Sequence, residues 1–352
     1  MPEAEVLLSW PLHVSIPVFI AGAALILWSG TRLPVLGEGV ARRTGIGATT
    51  LGLFVLAVVT SFPELAVTFG AMLGAEAPDL AFANVLGSNN FNVTILAFLP
   101  VGVAGGAVLS RVDARRYGRT CRLLILLTVV TGIGAWVGGL MPPGLSAVVF
   151  SLLIVGLFFW DLAGGRPGEA IAAGPGGTAA PPDRGATAGF VLHAAVVVVA
   201  GVLVALSGKA IAEHEFTTAA GAFRLGQTLV GTILVAVATS LPEVTVAFSA
   251  VRRAGSADMA VGTLLGSNSF NLAIFALGAP FLMFRGHDSG WSNLSPAGIV
   301  NAVTAVVLTL VVLAGMRATA LDARRWATRA ATAVLVPIYL IGLFLVYRMG
   351  GG

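Results

Sequence analysis

The chain has 352 residues, of which 57% are hydrophobic and only 10% charged, with a mean hydropathy of +0.94. Soluble globular proteins average about 25% charged residues, so this composition excludes a soluble enzyme and places the chain in a lipid bilayer. A net charge of +4 and a pI near 10.0 invite a nucleic-acid partner, but the placement of the arginines accounts for both, and no nucleic acid is expected. Cys121 is the sole cysteine, so no disulfide forms within the chain.

A membrane-spanning helix needs about 20 mostly apolar residues. Ten segments meet this pattern in chain order: 12–30, 46–73, 80–105, 120–140, 143–163, 189–211, 225–253, 258–284, 296–316 and 328–348. The first lacks a basic leader and is followed by further spans, so it reads as a membrane helix and not as a cleaved signal. The fold class is therefore an all-α membrane protein with ten transmembrane helices.

Arginine sets the orientation. Loops after the odd-numbered segments hold 16 of the 20 Lys and Arg residues, including Arg42, Arg43, Arg115, Arg116, Arg252 and Arg253. The other side keeps only Lys209, Arg224, Arg285 and Arg348. Cytoplasmic loops carry the excess of positive charge, which puts both termini outside in a multi-pass plasma-membrane (cell inner membrane) protein. Lys209 should extend its ammonium to the interface, and the six tryptophans fall mostly near segment ends, where interface anchors sit.

Residues 164–188, rich in Gly, Pro and Ala, read as a flexible cytoplasmic linker. Five segments precede it (residues 1–163) and five follow (residues 189–352). An odd number of crossings per half makes the second half start from the opposite face, which gives two inverted-topology repeats.

The halves also share a sequence. Thr60-Ser61-Phe62-Pro63-Glu64 recurs 179 positions later as Thr239-Ser240-Leu241-Pro242-Glu243. At the same offset, Gly87-Ser88-Asn89 returns as Gly266-Ser267-Asn268, and Phe91-Asn92 as Phe270-Asn271. Between 47–97 and 226–276, 23 of 51 positions are identical without a gap.

Proline cannot continue the helical hydrogen-bond ladder and clashes with the carbonyl one turn back. Pro63 and Pro242 should break their helices and free carbonyls near Phe54–Ala57 and Ile233–Ala236, facing protein, water or an ion. Thr60 and Glu64, four apart, share a helical face, as do Ser88 and Asn92, and Ser267 and Asn271. Hydroxyls, amide oxygens, carbonyls and two carboxylates make an inventory for hard cations such as Ca²⁺ and Na⁺, whereas zinc or copper would want Cys or His. Taken singly, hydroxyls bond their own backbone, Asn joins helices and Pro kinks them. A carboxylate at membrane depth with no Lys or Arg in its span is different, and marks a functional site. Asp79 and Asp258 also repeat, but each opens a helix and reads as an N-cap.

These motifs resemble the alpha repeats of the cation/calcium exchanger superfamily, in its sodium/calcium exchanger branch. The likeness is strongest over 45–98 and 224–277. The proton/calcium branch typically has Gly-Asn-x-x-Glu where this chain has Thr-Ser-x-Pro-Glu. The resemblance implies that Glu64 and Glu243 are the central Ca²⁺ ligands. It implies that Thr60, Ser61, Thr239 and Ser240, with the carbonyls of Ala57 and Ala236, build flanking Na⁺ sites, and that Ser88, Asn92, Ser267 and Asn271 complete the set. Archaeal relatives often carry Asp where this chain has Asn271; the two remaining carboxylates still balance one Ca²⁺.

The expected function is Na⁺/Ca²⁺ antiport by alternating access, with the segments at 12–30 and 189–211 moving past a fixed bundle. Ca²⁺/H⁺ antiport is the alternative, Glu64 and Glu243 then carrying the protons. No catalytic activity is expected, since no His or paired Asp joins the carboxylates as an intramembrane protease would need. No cofactor is expected, the ions being cargo, and the chain is read as working as a monomer. An inverted repeat favours a two-state carrier over a channel.

Overall fold

The computed structural model describes residues 10–32, 36, 60–99, 108–112, 114–142, 144–164, 185–218, 221–254, 257–285, 290–291, 294–320 and 325–350. Helix α1 (Leu12–Gly30) matches the first apolar segment end to end. Helix α2 (Phe62–Phe69) runs into a π-helical turn (Gly70–Gly74), and α3 (Pro78–Ile95) follows. Helices α4 (Ala114–Val137), α5 (Leu145–Gly164) and α6 (Gly185–Glu213) lead to the second copy of the motif. There α7 (Gln227–Val230) passes through a π-helical turn (Gly231–Val235) into α8 (Ala236–Ala254). Helices α9 (Ala257–Gly278), α10 (Pro296–Ala320) and α11 (Arg325–Gly350) complete the chain.

Among the described residues, seven helices are long and apolar enough to cross a membrane. Two shorter apolar stretches, Phe62–Gly74 and Leu145–Asp161, accompany them. The segments expected at 46–73 and 80–105, and the linker expected at 164–188, lie partly outside the described residues.

Helix α3 is buried from Leu80 through Asn90 and from Asn92 through Ile95, so it runs through the centre. Its approach to the π-turn before α8 is close enough to require glycine on both sides. A Cβ at Gly87 would lie 2.7 Å from the Thr232 Cα, and one at Gly231 would lie 2.7 Å from the Ala83 Cβ. Small residues let helix backbones touch where lipid gives no hydrophobic drive to associate. The periphery is apolar instead: Ile20 on α1, Leu152 on α5, Val191 on α6 and Phe344 on α11 are each more than 60% exposed. Such a surface suits hydrocarbon, and the helices satisfy their own backbone groups internally.

Several details depart from the reading of the sequence. A two-stranded antiparallel hairpin, β1 (Phe216–Thr218) with β2 (Gly221–Phe223), joins α6 to α7, with the Phe216 and Phe223 rings stacked 5.4 Å apart. Its Phe and Thr residues favour extended backbone. Trp291 is fully buried and not an interface anchor: its indole N–H donates to Ser151 Oγ at 3.1 Å and its ring meets Phe150 and Phe275. Lys209 donates its Nζ to the Ala75 carbonyl at 2.7 Å, just beyond the first π-turn, where helix ends leave carbonyls unsatisfied. Asp79 Oδ1 accepts the backbone N–H of Ser295 at 2.7 Å, so it holds the start of α10 instead of capping its own helix.

Candidate cation-binding site

Each motif glutamate sits in an interrupted helix. In the first copy α2 begins at Phe62 with Pro63 in its opening turn, where proline's missing N–H costs nothing. Ser61 occupies the N-cap position yet its side chain makes no cap bond. In the second copy the expected break is displaced. Pro242 lies inside α8, and the irregular turn falls upstream at Gly231–Val235. Such π-turns release backbone groups much as a proline would.

The hydroxyls left over by this local geometry cross to the other half. Ser61 Oγ donates to Glu243 Oε1 at 3.3 Å, and Ser240 Oγ donates to Glu64 Oε1 at 3.0 Å. Thr60 Oγ1 lies 3.2 Å from Ser267 Oγ, and Ser88 Oγ lies 3.3 Å from Thr239 Oγ1. The amides do the same: Asn89 Nδ2 donates to the Asn268 carbonyl and Asn268 Nδ2 to the Asn89 carbonyl, both at 3.0 Å. Asn92 Nδ2 donates to Asn268 Oδ1 at 3.0 Å, and Asn271 Nδ2 to Asn89 Oδ1 at 3.1 Å. Each bond has a mate obtained by exchanging the two copies at the 179-residue offset. Reciprocal contacts of this kind define a two-fold relation between the copies.

All of these side chains are buried, Glu64 and Glu243 completely. Each glutamate has one oxygen bonded to a serine and one bare: Glu64 Oε2 and Glu243 Oε2 have no hydrogen-bond partner. Asn92 Oδ1 and Asn271 Oδ1 are also bare. These four acceptors form two pairs at the repeat offset; a fifth bare oxygen, Asn90 Oδ1, has no counterpart there, Ser269 standing at that position. A buried oxygen without a partner forfeits the free energy of a lost hydrogen bond, and a carboxylate forfeits more. No Lys or Arg pairs with either glutamate among the described residues. The donor set is oxygen throughout, and the described residues contain no cluster of three or more His, Cys, Asp or Glu. Such oxygens fit a hard cation.

Of the twelve positions expected from the sequence, eleven are described, and all eleven meet at this crossing. The Ala236 carbonyl lies 3.5 Å from Ser88 Oγ and 3.2 Å from Thr239 Oγ1. Ala57 lies outside the described residues. Sequence reasoning passed over Asn89 and Asn268, although both recur within the quoted motif. It also missed Asn84, whose Oδ1 accepts from Thr239 and whose Nδ2 donates to Thr68 Oγ1 at 3.2 Å; Asn84 has no counterpart at the offset, so no repeat signal marks it.

Fold and site together define a polytopic membrane protein built from a duplicated helical unit. The chain belongs to the sodium/calcium exchanger protein family, whose model matches residues 14–160 and 186–348. It is 30% identical over 271 residues to inner membrane protein YrbG of Escherichia coli (strain K12), a match covering 76% of this chain and 80% of that protein. Two solved structures share the fold. The H⁺/Ca²⁺ exchanger CAX superposes with a TM-score of 0.65 at 14% identity, over 96% of this chain and 86% of its own. The sodium-calcium exchanger NCX_Mj superposes with a TM-score of 0.51 at 19% identity, over 95% of this chain and 99% of its own.

Proposed function

We propose that this protein is a secondary antiporter that exchanges Na⁺ for Ca²⁺ by alternating access. The observation that carries the reading is the four bare oxygens that pair at the repeat offset, two carboxylate and two amide. Two glutamates balance the charge of one Ca²⁺, and their second oxygens are the acceptors that its coordination would satisfy. The hydroxyls of Thr60, Ser61, Thr239 and Ser240 and the Ala236 carbonyl are neutral oxygens suited to the singly charged Na⁺ on either side, with Ala57 as the corresponding carbonyl of the first copy. Ser88 and Ser267 close the set. Ser61 and Ser240 bond Glu243 and Glu64, so Na⁺ at the hydroxyls competes for the carboxylates that would hold Ca²⁺, which is the requirement for exchange.

The same reading includes ten crossings, both termini outside, and a two-fold axis in the membrane plane relating residues 1–163 to 189–352 across the linker. Helices α1 and α6 pack along each other and border the site, as expected for the moving pair. Gly30 at the end of α1 lies against both motif prolines: a Cβ there would come 2.7 Å from Pro242 Cγ and 3.6 Å from Pro63 Cγ.

Ca²⁺/H⁺ exchange is the second reading, favoured by one observation. Both glutamates are buried with no described cationic partner, so each could discharge by taking a proton when Ca²⁺ leaves. Radiolabelled Ca²⁺ uptake into proteoliposomes separates the two. Uptake driven by an outward Na⁺ gradient at equal pH supports Na⁺/Ca²⁺ exchange, and uptake driven only by a pH gradient replaces it with the proton-coupled reading.

A further inference from the structure

We infer that Asn89 and Asn268 are positioning residues that force the amide oxygens of Asn92 and Asn271, and not their nitrogens, toward the transported cation. The inference rests on the cation-site reading above.

The orientation of all four amides follows from two backbone carbonyls. A carbonyl oxygen only accepts, so a side-chain amide beside it must present its NH₂. Asn89 Nδ2 lies 3.0 Å from the Asn268 carbonyl, and Asn268 Nδ2 lies 3.0 Å from the Asn89 carbonyl. Both amides are thereby locked with Oδ1 on the opposite side. Those two oxygens require donors, and each receives one from the ligand asparagine of the other copy: Asn271 Nδ2 at 3.1 Å for Asn89, and Asn92 Nδ2 at 3.0 Å for Asn268. With their nitrogens held, Asn92 and Asn271 can only turn Oδ1 the other way, and these are two of the bare buried oxygens. A freely rotating amide would offer a cation its NH₂ as readily as its oxygen. The clamp removes the wrong rotamer.

Two consequences follow. Each half orients the ligand of the opposite half, so the two ligand sets cannot reorganise independently. The clamp also selects an amide at 92 and 271, because a carboxylate there would face Asn89 or Asn268 Oδ1 with an acceptor where a donor is needed.

A double-mutant cycle on the full-length protein in proteoliposomes tests this, with the KM for Ca²⁺ and the maximal rate as readouts. Asn89→Ala removes the Oδ1 acceptor but keeps the backbone carbonyl that anchors Asn268. It should raise the KM roughly tenfold, the usual scale for losing an outer-shell orienting group. In the Asn271→Ala background the same change should add nothing, because the side chain that Asn89 orients is already gone. In the Asn92→Ala background the two effects should multiply, although Asn92 is only three residues from Asn89 on the same helix. Multiplying effects with Asn271→Ala, or none with Asn92→Ala, would overturn the clamp. Should Asn89→Ala not fold, Asn89→Ser is read instead in the same cycle. It removes the amide without adding a charge, so effects that multiply with Asn271→Ala overturn the proposal. A parent protein that takes up no Ca²⁺ under either a Na⁺ or a pH gradient overturns the functional reading, and this inference with it.

Discussion

Ser240 donates its hydroxyl to Glu64 at 3.0 Å across 176 residues of sequence, although the glutamate that follows it in its own motif, Glu243, is only three positions away. The mate of this bond, Ser61 to Glu243, is 3.3 Å long. Each carboxylate is thus held from the opposite half, and the two halves build one site instead of two.

The carboxylates come first among the expected outcomes. Glu64→Gln and Glu243→Gln should each reduce Ca²⁺ transport to background, because a neutral amide cannot replace half the charge facing a divalent ion in a medium of low dielectric. Folding should survive, since a buried charge without an ion pair is replaced by a neutral isostere. Vesicle uptake and the detergent melting temperature check both statements. Either mutant working at the parent rate would remove that glutamate from the ligand set.

Removing the hydroxyls that hold the carboxylates should weaken binding without abolishing it. A hydrogen bond to a charged group contributes about 1.5–3 kcal/mol, so Ser240→Ala should raise the KM for Ca²⁺ by roughly 10- to 100-fold. Ser61→Ala should do so to the same degree, because the two bonds are mates under the two-fold relation. Measured KM values differing by orders of magnitude would show that the two carboxylates are not equivalent.

Gly201 on α6 is a packing test outside the site. A Cβ there would lie 2.5 Å from the Ala66 Cβ and 3.0 Å from the Val67 nitrogen on α2. Gly201→Val should destabilise the fold by about 1–3 kcal/mol through overpacking and slow transport by separating α6 from α2. Thermal unfolding in detergent and the maximal uptake rate are the measurements, and a parent-like melting temperature would show that α6 moves away freely.

Topology is tested at the linker. With Cys121 replaced by Ala, a cysteine introduced at Gly176 should react with a membrane-impermeant maleimide only from the cytoplasmic side. Labelling of intact cells from outside would reverse the arginine-based orientation.

Much of the architecture was legible because it is written locally. Apolar runs mark α1, α4, α6 and α7 through α11 as long and apolar enough to cross, since lipid demands about 20 apolar residues from any helix that spans it. The duplicated motif marked the candidate site, because two carboxylates within apolar segments beside hydroxyls have no ordinary packing role. The β-hairpin, the burial of Trp291 and the capping of α10 by Asp79 were not legible, because each depends on a neighbour distant in sequence.

The sequence by itself determined the membrane class, the duplication and the chemical type of every candidate ligand, since hydropathy and a constant offset need no knowledge of contacts. Only the tertiary structure decided who holds whom. Helical spacing placed Thr60 and Glu64 on one face, yet Thr60 meets Ser267 and Glu64 meets Ser240. Likewise Asn89 reads in sequence as a neighbour of Asn92, but orients Asn271. A helical period predicts which side chains share a face and says nothing about what that face meets. Here it meets the other copy across a two-fold relation, and the oxygens of Glu64, Glu243, Asn92 and Asn271 are left bare by that meeting.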